Sequence, residues 1–150
     1  MSKPTPQPLT PDFLHKRITD SIGKWRSTLN EYDLEALNTP DPNGGWSLGQ
    51  VFTHCYLAAS RMFINMAEAC IQAGVVEAPG KKNEVGEKMF SYQSFPPIEI
   101  NMPEGLAFTP PEPDSIDRLQ EQLDKLEQRS LQAIEALDQN DKRNATKPHP

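Results

Sequence analysis

The stretch of sequence that decides the fold reads GWSLGQVFTH and spans residues 45–54. Ser47 and Gln50 stand three positions apart, which is the spacing of a capping box. In such a box the serine hydroxyl accepts from the backbone N–H three residues on, and the glutamine side chain reaches back to the serine N–H. Trp46 precedes the cap, where an apolar side chain packs against the first turn. We therefore predict that a helix begins at Leu48.

The helix that follows this start is predicted to run from Leu48 to about Ala73 and to end at Gly74. Its apolar residues cover a wide arc of the helix surface. They are Val51, Phe52, Cys55, Leu57, Ala58, Met62, Phe63, Met66 and Cys70. A helix that is apolar over so wide an arc is typically buried between several neighbours. The pattern therefore predicts that this helix is the central element of the fold.

A second amphipathic helix is predicted before this stretch, since Thr10 and Pro11 form a typical helix start. Apolar residues then recur every three or four positions, as on one helix face. They are Leu14, Ile18, Ile22, Trp25, Leu29 and Tyr32. The segment from residue 38 to residue 45 is rich in turn residues and is predicted to be a loop.

A third long helix is predicted from Ile116 to about Asp138, capped by Asp114 and Ser115. Its apolar seam is formed by Ile116, Leu119, Leu123, Leu126, Ala133 and Leu137. The acidic residues Glu121, Asp124, Glu127 and Glu135 alternate with basic ones, among them Lys125 and Arg129. We predict that these charged residues form a solvated outer face and not a catalytic carboxylate pair.

Residues 75–113 separate the second and third long helices and show no sustained helical periodicity. A connection of this length is unusual inside a compact domain. It carries the aromatic residues Phe90, Tyr92, Phe95 and Phe108, which are predicted to pack onto the bundle. We therefore predict a long Pro-rich crossover that contains one short helix near residues 84–93.

Three long amphipathic helices joined in this way predict an all-α, up-down helical bundle. A chain of 150 residues is long enough for one such domain. The predicted domain spans residues 10–138. A disordered Pro-rich tail is predicted at residues 1–9, and a polar C-terminal tail at residues 139–150.

Charge and cysteine spacing limit the partners and the compartment. A net charge of −6 argues against nucleic acid and anionic membrane surfaces, both of which attract clustered Lys and Arg. The sequence has no membrane-spanning run and no signal peptide, so a cytoplasmic location is predicted. Cys55 and Cys70 are expected on one helix about 22 Å apart. That distance excludes a disulfide between them and predicts free thiols.

Two histidines in the predicted helices are candidates for chemistry. His54 shares a predicted helix face with Val51 and Ala58, so its ring is predicted to point into the bundle. Spacing alone favours a buried neutral histidine that is hydrogen-bonded to a carbonyl, because a zinc-like site takes three or four protein ligands. His15 is predicted to face solvent. The side chains Trp25, Trp46, Met62 and Met66 are predicted to lie in the core.

Residues 46–54 resemble the W-S-x-x-Q-x-x-x-H entry to the second helix of DinB/YfiT-like proteins. The order of elements and the closing residues 147–150, KPHP, are also similar, so the resemblance covers about residues 10–150. It implies a four-helix bundle that holds one divalent metal, zinc or nickel, on three histidines. His54 matches the ligand on the second helix.

The other two ligands of such proteins lie on a fourth helix that follows the His-Pro element. That helix has no counterpart in this sequence, and His149 matches the His-Pro element itself, which is not a ligand. The resemblance therefore implies a metal-dependent enzyme, a thiol-dependent transferase or a hydrolase acting on a small-molecule substrate, with an incomplete metal site. A further hypothesis is that the sequence is a truncated form of a longer protein that supplies the missing helix.

The alternative hypothesis is a non-catalytic helical interaction module. Three amphipathic helices leave a groove where a fourth would lie, and an exposed apolar strip tends to recruit a partner. In this interpretation the chain forms a homodimer through its apolar helix faces or binds a partner helix.

Overall fold

The computed structural model describes residues 8–73, 83–94 and 108–139. Within those ranges every regular element is helical, which confirms the all-α class. The elements are α1 (Pro11–Leu29), α2 (Leu34–Asn38), α3 (Leu48–Leu57), α4 (Asn65–Ala73), α5 (Glu84–Tyr92) and α6 (Ile116–Gln139). A π-helical turn (Ala58–Ile64) joins α3 to α4, so the predicted helix is present with a widened turn in its middle. Its predicted end at Gly74 lies outside the described residues.

The predicted capping box starts α3. The Ser47 hydroxyl accepts a hydrogen bond from the Gln50 backbone N–H at 3.1 Å, and Gln50 Oε1 accepts one from the Ser47 N–H at 3.0 Å. Ser47 is buried, so these two donors would have little access to water without the box. The paired bonds set the register of every side chain that follows on α3.

α1 and α6 pack side by side in opposite directions. Near the end of α1, Asn30 Oδ1 accepts from Gln120 Nε2 at 3.2 Å, close to the start of α6. One turn earlier on α1, Arg26 Nη2 donates to Asp124 at 2.6 Å and to Glu127 at 2.7 Å, further along α6. Residues that come earlier on α1 therefore contact residues that come later on α6, so the two helices are antiparallel.

The segment α3–α4 lies along α6 in the parallel direction. Thr53 of α3 lines the same cleft as Leu119, near the start of α6. Further along both segments, Arg129 of α6 donates to Glu68 of α4 at 2.9 Å. Parallel neighbours need a long connection between them. The predicted crossover provides that connection.

The core lies where α1, α2, α3 and α6 meet. Its buried members are Ile22, Leu29, Leu37, Phe52, Leu119, Leu123 and Leu126. The rings of Trp25 and Phe52 meet edge to face, with centroids 5.8 Å apart, and join α1 to α3. Leu37 belongs to the short helix α2, whose start is capped by Asp33 and which the sequence analysis did not predict. Tyr32, predicted on the apolar stripe of α1, lies beyond its end and is exposed.

The prediction that the helix after Trp46 is the central element is wrong. α6 is the segment that contacts both α1 and the α3–α4 segment extensively. Large apolar side chains stay exposed here: Trp46 just before α3, Val51 of α3 and Phe63 of the π-helical turn are 39%, 40% and 43% exposed. Part of the wide apolar arc of this helix is therefore not covered by the neighbouring elements of the described chain.

The short helix predicted in the crossover is present as α5, with Asn83 as its cap. Arg17 of α1 donates to the backbone carbonyl of Gln93 directly after α5, at 3.4 Å. Phe90 and Phe108 line pockets beside the bundle, as predicted for the crossover aromatics, but both rings are more than half exposed, and Tyr92 is exposed as well. Phe95 lies outside the described residues.

The solvated outer face of α6 is confirmed for Glu121 and Glu135, which are exposed. It is wrong for Glu127, whose side chain is 18% exposed because Arg26 draws it against α1. In the described part of the chain no helix has the length and apolar character needed to cross a membrane. The predicted tails, residues 1–9 and 139–150, fall almost entirely outside the described ranges.

Candidate functional site

His54 lies on α3 and its side chain is exposed. Its ring is tilted by 51° against the Trp46 ring, with the two centroids 5.0 Å apart. The prediction that this ring points into the bundle is therefore wrong, and so is the interpretation as a buried neutral histidine. The capping box turns the preceding positions, Phe52 and Thr53, toward the core. Since each residue adds about 100° of rotation, position 54 faces outward.

The donors around His54 do not form a metal site. Among the described residues no group of three or more His, Cys, Asp or Glu side chains converges in a way that could hold an ion. Cys55, next in the chain, is half-buried, and burial raises the pKa of its thiol, which disfavours the thiolate that metals bind. His149 lies outside the described residues. The described residues therefore do not fit a three-histidine metal centre by themselves.

His15 was predicted to face solvent, and this is wrong. Its side chain is partly buried, and its Nε2 is shielded from solvent with no hydrogen-bond partner in the described structure. The prediction that Cys55 and Cys70 are free thiols is confirmed. Both are partly buried on the α3–α4 segment.

A separate cleft of about 760 Å³ opens between α3 and α6. Its walls come from α3, the π-helical turn, the first half of α6 and the segment that precedes α6. The polar side chains that line it include Thr53, Tyr56, Ser60, Arg61, Asn65, Glu112, Asp114, Arg118, Gln122 and Arg129. Three of these are arginines, so the cleft has a cationic lining with two carboxylates among it.

Arg129 is the most engaged of the three arginines. Its Nε and Nη2 donate to the two carboxylate oxygens of Glu68, at 3.1 and 2.9 Å. Nη2 also donates to Asn65 Oδ1 at 2.7 Å, and Nη1 to the Ser60 carbonyl at 3.4 Å. The hydrogen bond to Glu68 raises the pKa of the guanidinium. Arg129 thus clamps α6 to the π-helical turn and α4, and the prediction that it lies on a solvated face is wrong.

Sequence reasoning missed the cleft, although one signal for it was present. Arg61 is the only Lys or Arg between residues 48 and 73, in a helix otherwise rich in apolar side chains. Its meeting with Gln122 and Arg129 of α6 depends on packing between segments about 60 residues apart and leaves no sequence motif.

Comparison with protein families decides the assignment. The family model of the DinB superfamily matches residues 17–150, which include most of α1 and every later helix. The chain belongs to the DinB superfamily. Comparisons with curated proteins and with solved structures gave no significant match. Membership agrees with the signature at residues 46–54, and it leaves the activity of this DinB protein to be argued from its residues.

This DinB chain therefore presents two separate features. The position that matches the ligand on the second helix, His54, lies beside Trp46 on the outward side of α3. The arginine-lined cleft lies between α3 and α6, and its lining does not include His54. A metal role and a cleft role can consequently be tested independently.

Proposed function

We propose that this DinB superfamily chain acts in a metal-dependent enzyme, a thiol-dependent transferase or a hydrolase, in which His54 is one ligand of a divalent zinc or nickel ion. The observation that carries the proposal is the exposed imidazole of His54 at the signature position of the family. An exposed ring is open to an incoming ion and to further ligands. In this proposal those ligands come from residues of this chain outside the described ranges or from a second copy of the same chain.

Two features at the start of α3 support His54 as a ligand. The capping box at Ser47 and Gln50 sets the direction of the side chain, and the Trp46 ring packs on one side of it. A ligand held in one orientation loses less entropy on binding an ion. One imidazole does not complete a zinc-like site.

Metal content of the full chain tests the proposal. We expect zinc or nickel to remain bound after desalting, and His54→Ala to weaken binding by at least about 100-fold. Loss of a group that merely orients a ligand already costs about 10–100-fold. His15→Ala is the matched control, because His15 lies on α1 and should leave metal content unchanged. Mass-spectrometric metal analysis that finds no bound metal, or equal metal in His54→Ala, would contradict the proposal.

A second candidate function is a helical interaction module that forms a homodimer or binds a partner helix. The specific observation in its favour is the exposure of Trp46, Val51 and Phe63 on or beside the segment from residue 46 to residue 64. Contiguous apolar patches on a protein surface tend to mark association sites. In this proposal the outward side of α3 and the π-helical turn is the contact surface.

Sedimentation velocity tests this second function. We expect the full chain to sediment as a dimer at micromolar concentration and Val51→Glu to shift it to monomer, because a buried unpaired carboxylate is costly. Glu121→Gln, on the exposed face of α6, should leave the dimer intact. A wild-type chain that is monomeric at these concentrations would rule out self-association through this surface.

The proposed setting is the cytoplasm, with a small-molecule substrate and without nucleic-acid or membrane partners. The net charge of −6 supports this setting, because acidic residues outnumber basic ones and binding to phosphate groups needs clustered Lys and Arg. Two free thiols on the α3–α4 segment are compatible with a reducing compartment.

A further inference from the structure

The cleft between α3 and α6 contains one arginine that the fold does not use. Arg129 is bound to Glu68, and Arg118 is paired with Asp114, which lies just before α6. Arg61 lines the same cleft, is exposed, and has no ion pair or hydrogen bond to its guanidinium within the described structure. Its charge is therefore available to an anionic group that enters the cleft.

Gln122 supplies a second unused group. Its Oε1 is shielded from solvent and accepts no hydrogen bond within the described residues. Gln122 lines the cleft together with Tyr56, and both also border the small void beside Trp25. A buried carbonyl oxygen without a donor is costly and calls for an explanation. Gln122 lines the cleft, so a rotation of its side-chain amide toward the cleft would let an N–H or O–H group of a bound molecule provide the missing donor.

The π-helical turn (Ala58–Ile64) is an independent sign that this wall of the cleft serves a purpose. Such turns are rare and are frequent at functional sites. Here the turn is clamped to α6, because Arg129 Nη1 donates to the carbonyl of Ser60, whose side chain is buried. Arg61 is the next residue, so the clamp holds the backbone that carries the free guanidinium.

From these groups we propose that the cleft binds a small organic anion that also carries a hydrogen-bond donor, such as a hydroxy or amino carboxylate. The carboxylate pairs with Arg61, and the hydroxyl or amino group donates to Gln122 Oε1. A guanidinium binds a carboxylate through two parallel hydrogen bonds. The cleft volume of about 760 Å³ lies within the range of small-molecule sites. This site needs neither His54 nor a metal, so it goes beyond the proposed function.

Titration of the full chain with L-malate, followed by amide NMR, tests the site. We expect shift changes at Tyr56, Arg61 and Gln122, and we expect Arg61→Gln to weaken binding by about tenfold or more, the usual effect of losing a charged hydrogen bond. Lys125→Gln removes the same charge from an exposed position of α6 outside the cleft lining and should change binding less than about twofold. The proposal would be overturned if no amide resonance shifted at about 10 mM malate, a concentration that would reveal even weak binding. It would also be overturned if Arg61→Gln and Lys125→Gln weakened malate binding equally.

Succinate, which is malate without its hydroxyl, tests the role of Gln122. We expect wild type to bind malate about five- to tenfold more tightly than succinate, as for one neutral hydrogen bond. Gln122→Met removes the unpartnered oxygen at similar size, so it should erase this preference and leave the melting temperature unchanged or raised. A preference that persists in Gln122→Met would overturn the assigned donor. If Gln122→Met is still folded, as judged by its melting temperature, and no longer prefers malate, the result would support the assigned donor.

Discussion

Leu29→Ala is expected to lower the free energy of unfolding by about 2–5 kcal/mol, the usual range for emptying a buried leucine site. Leu29 is the last residue of α1 and is fully buried, at 0% exposure, within the core shared with α3 and α6. The surrounding helices cannot close over the lost volume, because well-packed interiors relax only in part. Urea unfolding followed by circular dichroism measures the loss.

Val51→Ala is the matched control for Leu29→Ala, since it also truncates an aliphatic side chain but at an exposed site of α3. We expect it to change stability by less than about 1 kcal/mol. Equal losses in the two variants would mean that the arrangement of α1 against α6 differs from the one described, and that the surface of α3 at Val51 is covered.

Gly49→Ala is expected to destabilise the chain by about 1–2 kcal/mol, within the range for overpacking a tight contact. A Cβ at this position would lie 2.6 Å from Asn38 Oδ1 and 2.7 Å from Pro113 Cδ. Asn38 is held in place because its Nδ2 donates to the Pro113 carbonyl at 3.1 Å. The proline ring is rigid, so the helix start has to move away from the segment before α6.

Gly23→Ala is the control for this substitution, because a Cβ at position 23 of α1 meets no atom within 4 Å. Alanine is favoured over glycine inside a helix by about 0.5–1 kcal/mol, so we expect this variant to be more stable than wild type. Thermal or urea unfolding of the pair should move in opposite directions. A stabilising effect of Gly49→Ala would show that the junction of α2, α3 and residues 110–113 is looser than described.

Local signals explain which parts of the fold were predictable. The capping box at Ser47 and Gln50, the cap at Thr10 and the cap at Ser115 act over a few residues, and the helices begin where those signals predict. Short helix α2 and the π-helical turn were missed. The first is only five residues long, and the second replaces one hydrogen-bonding pattern by another without a change in apolar spacing.

The direction of His54 illustrates what periodicity does not determine. A wide apolar arc on α3–α4 suggested burial between several neighbours, but covering a face requires a neighbour, and Val51 and His54 stay exposed in the described structure. The cleft could not be predicted from the sequence for a related reason. Arg129 and Glu68 are 61 residues apart, and their contact exists only because α6 lies parallel to α4.

The cleft exists because α6 packs antiparallel to α1 and parallel to α3–α4. A NOESY spectrum of the isotope-labelled full chain tests this most directly. We expect cross-peaks between the side-chain amides of Asn30 and Gln120, 3.2 Å apart, and between the rings of Trp25 and Phe52. Cross-peaks from Asn30 to residues near Ile134, at the end of α6, would instead show that α6 runs in the opposite direction. That result would contradict both the cleft and the outward position of His54.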